Sequence, residues 1–219
     1  MVPSVIGKPA EGLKQIVLHI GNGASASAEV SGKPVETSMG LTPLEGLMMG
    51  GRTGDIDPAV VFHLIRNAHM NVDELDALFN KRSGMMGMTG FGDLREVHRL
   101  VAEGNEDAKL ALDVYVHRIV GYIGNYTAQM GGVDVITFTA GVGENDDVVR
   151  RQAGRREERH PFQGTAHHLH PGFQDHHLRH SDQRGAGNRP QVRGNRRSRR
   201  RHLRQRLLQV SEEIPQSND

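Results

Sequence analysis

A chain of 219 residues with a net charge of +1 has the length of one large domain or two small ones. It contains no cysteine, which excludes disulfides and thiolate metal sites and points to a reducing compartment. No apolar run reaches the roughly 18–20 residues that cross a bilayer and no secretory signal opens the chain, so it reads as soluble and cytoplasmic.

Residues 1–12 open without a cap or a strand, as though the chain started partway into a longer one. Residues 16–27, IVLHIGNGASAS, read as a hairpin: a buried strand, a tight Gly21-Asn22-Gly23 turn and a strand of small residues. Asn-Gly favours such a turn because both positions tolerate φ > 0. Its glycines let backbone N–H groups come close to a ligand, and successive exposed N–H groups suit phosphate oxygens. An ordinary hairpin is an equal alternative on this stretch alone.

Ser31-Gly32-Lys33-Pro34 reads as a turn. Thr42-Pro43-Leu44-Glu45 fits a capping box that opens a short helix through Met49. A polar loop, GGRTGD, then carries Arg52. Asp57-Pro58 caps a helix over 59–69 with Val60, Val61, Leu64 and Ile65 as an apolar stripe, while His63 and His69 fall on its surface. Asn71 opens a helix with Leu75, Leu78 and Phe79 inward. Residues 83–92, SGMMGMTGFG, read as a loop whose methionines fill an irregular apolar gap.

Asp93 caps a helix through Glu103, and Asn105 opens the longest, reaching about Met130. Leu110, Leu112, Val114, Tyr115, Ile119 and Ile123 supply its apolar surface. Residues 133–139, VDVITFT, read as a buried strand running into Ala140-Gly141-Val142-Gly143-Glu144-Asn145, with a helix from Asp146. A strand, a G-x-G turn and a helix N-terminus let backbone donors meet an anion or a nucleotide. It is not the dinucleotide fingerprint, because Asp146 stands where the third glycine would be. The alternation of strands and helices places residues 1–150 in the α/β class, with the glycine turns at strand ends where such sheets bind ligands.

Four long motifs then carry a resemblance: HIGNGAS at 19–25, ETSMGLTPLEGLMMGGRTGDIDPA at 36–59, NKRSGMMGMTG at 80–90 and FTAGVGEN at 138–145. Together they resemble acetate kinases, over residues 6–150. The resemblance implies the ribonuclease H-like, actin-like ATPase fold of sugar kinases and chaperone ATPases, transfer of the ATP γ-phosphoryl group to acetate to give acetyl phosphate, and Mg2+. His19, Ile20, Gly21, Asn22 and Gly23 match the family's phosphate hairpin. Asp93, Leu94 and Arg95 match a nucleotide-contacting segment, and Gly141, Val142, Gly143, Glu144 and Asn145 its adenosine turn. Arg52 matches the arginine that stabilises the transferring phosphoryl group, a role suited to a guanidinium with forked donors. Without the resemblance, Arg52 reads as a solvated loop charge. No metal ligand is identified. The family's catalytic Asp, acetate-holding Arg and metal-side Asn have no counterpart, so the chain is expected to have little or no activity. Family dimers meet through this domain, making a weakened homodimer an expectation.

Residues 1–150 carry 5 Lys and 7 Arg against 19 acidic residues; residues 151–219 carry 15 Arg and no Lys against 7, together with 8 of the 13 His. Such a tail could bind nucleic acid, but its composition fits GC-rich DNA read out of frame. Residues 179–195, followed by Arg196, can be encoded so that reading one base later gives VTPTNEELAIARKSAEI. That matches a family segment otherwise missing here, which includes a magnesium-side Glu. The expectation is therefore a frameshift between about Val149 and Gly154, with residues 151–219 disordered and nucleic acid not the partner.

Overall fold

The parallel pairing of two strands sets the architecture. In the computed structural model, which describes residues 2–157 and 168–169, β1 (Lys14–Ile20) runs parallel to β4 (Val135–Thr139), His19 beside Thr139. β2 (Ala24–Val30) folds back antiparallel on β1, β3 (Lys33–Thr37) pairs with β2, and β5 (His168–Leu169) extends the far edge. The order β3-β2-β1-β4-β5 brings the carboxyl ends of β1 and β4 to one edge, so the turns that follow them are neighbours. These residues lie in one compact unit, Met1–Gln174.

The helices are α1 (Val2–Ile6), α2 (Ala59–Asn67), α3 (Val72–Lys81), α4 (Gly84–Thr89), α5 (Leu94–Ala102), α6 (Glu106–Met130), α7 (Ala140–Asn145) and α8 (Asp147–Glu157). Alternation in β1 and β2 turns Ile16, Leu18 and Ile20 together with Ala24, Ala26 and Ala28 into the core, against α6. Each large aliphatic side chain so buried contributes about 1.5–3 kcal/mol. Helix α6 starts at Asn105, whose side chain accepts from the Ala108 N–H at 2.9 Å, and stops at Gly131, which takes the left-handed conformation (φ 67°). Its residues Leu112, Tyr115, Ile119 and Ile123 are buried, but Leu110 faces solvent.

Several expectations need correction. None of Gly21, Asn22 and Gly23 has a positive φ; the two-residue turn with both φ values positive is Ser31 (55°) and Gly32 (71°), between Val30 and Lys33. Lys33 and Pro34 accordingly begin β3, a strand tolerant of proline because it lies at the sheet edge. No helix spans 42–49: Thr42 Oγ1 accepts only a 3.4 Å contact from the Leu44 N–H, and Gly46 at φ 104° breaks any helical path. Gly46 instead exchanges hydrogen bonds with Asp55, closing the loop that carries Arg52.

Residues 84–89 form a helix rather than a loop. Its start is satisfied by tertiary bonds, Met85 N–H to Met49 O and Met86 N–H to Gly50 O, which no local cap announces. The stripe on α2 does not face the core: no residue of this helix is buried, and Val60, Phe62 and Ile65 are exposed. His63 and His69 are exposed as expected. The G-x-G segment is the short helix α7, not a turn. Of the 151–219 tail, residues 151–157 complete α8 and 168–169 form β5; the expectation of disorder otherwise lies outside the described residues.

Candidate functional site

Two open chambers meet at the carboxyl edge of the sheet. The larger, about 720 Å3, is lined by Gly21 and Asn22 after β1, by Gly92, Asp93, Leu94, Arg95 and His98 at the start of α5, and by Gly141, Val142, Asn145, Asp146, Asp147 and Val148 from α7 and α8. The smaller, about 290 Å3, is lined by Asn22, Gly23, Gly50, Gly51, Arg52, Asn80, Lys81, Met86 and Gly92. Asn22 and Gly92 border both, so the chambers form one cleft with a neck between them. Its larger part falls within the 300–1,000 Å3 range of small-molecule sites.

Close approach explains the glycines. A Cβ on Gly21 would lie 3.7 Å from that of Ala140, so the turn after β1 and the start of α7 are in contact. A Cβ on Gly23 would lie 3.4 Å from Arg52 Nη1, which puts the guanidinium against the hairpin. Arg52 Nη1 donates to Pro43 O (3.3 Å) and approaches Met49 Sδ (3.6 Å), and the loop is tied to the hairpin by the Gly50 N–H to Asn22 O bond at 3.1 Å. Gly143 is buried beneath the site, where a Cβ would meet the Phe138 carbonyl carbon at 3.3 Å.

Asp93 caps α5 by accepting from the Arg95 N–H (2.9 Å) and pairs with the Arg95 guanidinium at 2.5 Å. Hydrogen bonding from the Arg95 side chain, then from its backbone, holds the Asp93 carboxyl down at about 2. Opposite, the Asn145 amide donates to Gly141 O (2.7 Å), and Arg150 Nη1 donates to the carbonyls of Gly143 (2.8 Å) and Glu144 (2.7 Å), closing the end of α7.

Of the residues singled out in the sequence, Gly21, Asn22, Asp93, Leu94, Arg95, Gly141, Val142 and Asn145 line the larger chamber, and Arg52 and Gly23 the smaller. The others line neither of these two chambers. Ile20 is fully buried in the core, His19 Nδ1 lies 3.0 Å from Thr139 Oγ1, and Glu144 Oε1 accepts from the Ala140 N–H at 3.2 Å. Sequence reasoning missed His98, Asp146, Asp147 and Val148 in one chamber, and Asn80 and Lys81 in the other. His98 lies one helical turn beyond Leu94, a spacing that could have flagged it. Among the described residues, no group of three His, Cys, Asp or Glu is arranged to hold a metal, and no helix is long and apolar enough to cross a membrane.

Comparison with known proteins places these features in a family. Residues 1–161 match the model of the acetokinase family. Over 149 residues the chain is 58% identical to an acetate kinase of Clavibacter sepedonicus, covering 68% of this chain and 38% of that protein. Over 152 residues it is 59% identical to one of Leifsonia xyli, covering 69% and 38%. The crystal structure of Porphyromonas gingivalis acetate kinase superposes with a TM-score of 0.68 at 44% identity, over 69% of this chain and 38% of that one. A propionate kinase from Francisella tularensis gives 0.65 at 39% identity, over 69% and 39%. The chain thus spans about 38% of the length of these curated relatives. On the family match, the sequence identity and the shared actin-like ATPase fold, it belongs to the acetokinase family.

Proposed function

We propose that residues 1–150 are the nucleotide-binding half of an acetate kinase, holding ATP for transfer of its γ-phosphoryl group to acetate. The observation that carries this reading is the cleft itself: the β1 turn, the start of α5 and the α7–α8 junction share one chamber, and Arg52 lies in the adjoining one. In this reading the polyphosphate lies along Gly21, Asn22 and Gly23, and the nucleoside lies between Asp93–Arg95 and Gly141–Asn145. Arg52 directs its guanidinium at the γ-phosphoryl group, where charge spreads over the equatorial oxygens during transfer. Glycines at the hairpin let backbone N–H groups come near phosphate oxygens, while Gly50 and Gly51 let their loop pack against Asn22, Gly92 and Lys81. Magnesium, bound mainly through phosphate oxygens and water, would neutralise phosphate charge.

A second reading, nucleotide binding without transfer, is favoured by the make-up of the smaller chamber. Arg52 and Lys81 are its cationic side chains among the described residues, and no carboxylate lines it as a candidate acid or base. Calorimetric titration of the 219-residue chain with ATP and Mg2+, run beside an acetyl-phosphate assay, separates the two. We expect binding that weakens about tenfold or more in Arg52→Ala, a loss of roughly 1.4 kcal/mol or more, with little or no acetyl phosphate formed. Absence of ATP binding by the unaltered chain contradicts both readings.

Residues 151–219 belong in this reading to a shifted frame of the same gene, and nucleic-acid binding by their arginines is not part of the function. The coding DNA decides it: codons that forbid the VTPTNEELAIARKSAEI reading over 179–196 contradict it. A cytoplasmic setting and weak self-association through this domain complete the proposal.

A further inference from the structure

We propose that the hydrogen-bonded pair His98–Asp146 clasps the nucleoside end of the cleft and sets affinity for the base and ribose of a nucleotide, leaving the phosphates to Arg52 and the hairpin. The inference rests on the nucleotide reading given above. The cleft has two chemically different ends, separated by the neck at Asn22 and Gly92. Arg52 and Lys81 line one end, a cationic chamber suited to phosphate. The other has Leu94, Val142 and Val148 in its walls, apolar surfaces suited to the faces of a heteroaromatic ring. Arg95 also borders that end, but its guanidinium is engaged by Asp93.

His98 and Asp146 both line this end, one on α5 and the other between α7 and α8. His98 Nε2 lies 2.6 Å from Asp146 Oδ2, a hydrogen bond that joins α5 to the junction of α7 and α8. The carboxylate is itself fixed. Its Oδ1 accepts from the Val149 N–H at 3.0 Å, its backbone N–H donates to Val142 O at 2.8 Å, and its side chain is 11% exposed. Val149 beyond it is fully buried in the core. Asp146 therefore stands on a wall that cannot shift easily, and His98 couples the α5 wall to it. Breaking the bond frees Leu94 and His98 to move relative to Val142 and Val148, which changes the slot between those side chains without touching Arg52. His98 and Asp146 are positioning residues, acting on the nucleoside through the width of the slot.

The test is calorimetric titration of the full 219-residue chain with MgATP and, separately, with magnesium tripolyphosphate, for the unaltered protein, His98→Ala, His98→Gln, Asp146→Asn and the double variant H98A/D146N. Asp146→Asn keeps an oxygen for the Val149 cap, so it reports on the pair even if His98→Ala folds poorly. We expect His98→Ala to weaken ATP about tenfold and Asp146→Asn about threefold, as a charge-assisted bond is lost or weakened. The double variant is expected to be no weaker than His98→Ala, and His98→Gln, which retains an N–H donor, to recover most of the affinity. Tripolyphosphate should bind all five alike within about twofold, since the phosphate end is untouched. ATP affinity unchanged in both single variants, additive losses in the double variant, or an equal loss for tripolyphosphate overturns the clasp while leaving the nucleotide reading standing. Failure of the unaltered chain to bind either ligand overturns the nucleotide reading, and the clasp with it.

Discussion

Gly50 occupies the point where the Arg52 loop, the hairpin and the segment before α5 come nearest. A Cβ there would meet Asn22 Oδ1 and would lie 2.7 Å from Gly92 O, the two residues that border both chambers. Gly50→Ala must push the neck apart or tilt the loop. Overpacking of this kind costs about 1–3 kcal/mol, so urea unfolding should show a lower midpoint, and calorimetry should show ATP affinity reduced further than the fold is weakened. Unchanged values in both would mean that the neck is looser than its contacts indicate. Asp93 makes a pH prediction. Its carboxyl is held at about 2 against an ordinary 3.8 by bonds from the Arg95 side chain and backbone, which the start of α5 holds in place. A group depressed on folding stabilises above its unfolded value and loses that contribution as pH falls through its folded value. Asp93→Asn should therefore flatten the acid limb of the stability profile from about pH 5 downward, most of all between 3.8 and about 2, and leave its shape at neutral pH unaltered. At this scale the candidate site was legible chiefly through the resemblance: taken alone, Arg52 reads as a solvated loop charge and Asp93 as a helix cap. The pairing of His98 with Asp146 was not legible, because α5 and α8 come near each other only by both packing on α6.

Long, strongly patterned elements were readable and short ones were not. Helix α6 has a capping Asn, a sustained apolar face and a glycine stop, and its bounds follow from those alone. Strands β1 and β4 were readable as apolar runs between turns. Helix α4 was not, since Met49 and Gly50 supply the acceptors for its first N–H groups from elsewhere in the chain. The 42–49 segment misled in the other direction. Its capping pattern is genuine as sequence, but Gly46 at φ 104° and its bonds to Asp55 impose a loop. The stripe on α2 shows that an amphipathic pattern identifies a helix and not its partner. Helix α6 also carries all three tyrosines, and each has its phenol pushed above the ordinary 10.0, first of all by burial. Tyr126 is raised to about 12, and Tyr122 is held further by donating to the Asp55 carboxylate at 2.6 Å. An acid raised on folding stabilises fully below its unfolded value, and that contribution falls as pH climbs toward the folded one. Tyrosinate absorbance should therefore stay absent as pH passes 10.0 and appear together with loss of helical circular dichroism. Gradual ionisation at pH 10.0 with the helix intact would show the phenols to be open to water.

The whole molecule makes the site by topology. One parallel pairing between strands more than a hundred residues apart, His19 beside Thr139, brings together two glycine segments that the sequence presents as separate motifs. The sheet order supplies the edge at which both chains leave, and the long α6 beneath it holds that edge in place. The fold class could be read from the alternation of strands and helices, but this non-local pairing could be reached only through resemblance to a family. The central claim is that the β1 turn, the start of α5 and the α7–α8 junction close on one nucleotide. Hydrogen–deuterium exchange of the 219-residue chain, with and without saturating MgATP, tests it most directly. The account predicts slower exchange in three separated stretches, 20–23, 92–98 and 141–148, with β3 and α2 unchanged. Slowing in α2 or β3 with none at the three stretches, or in a single stretch of the three, would contradict it.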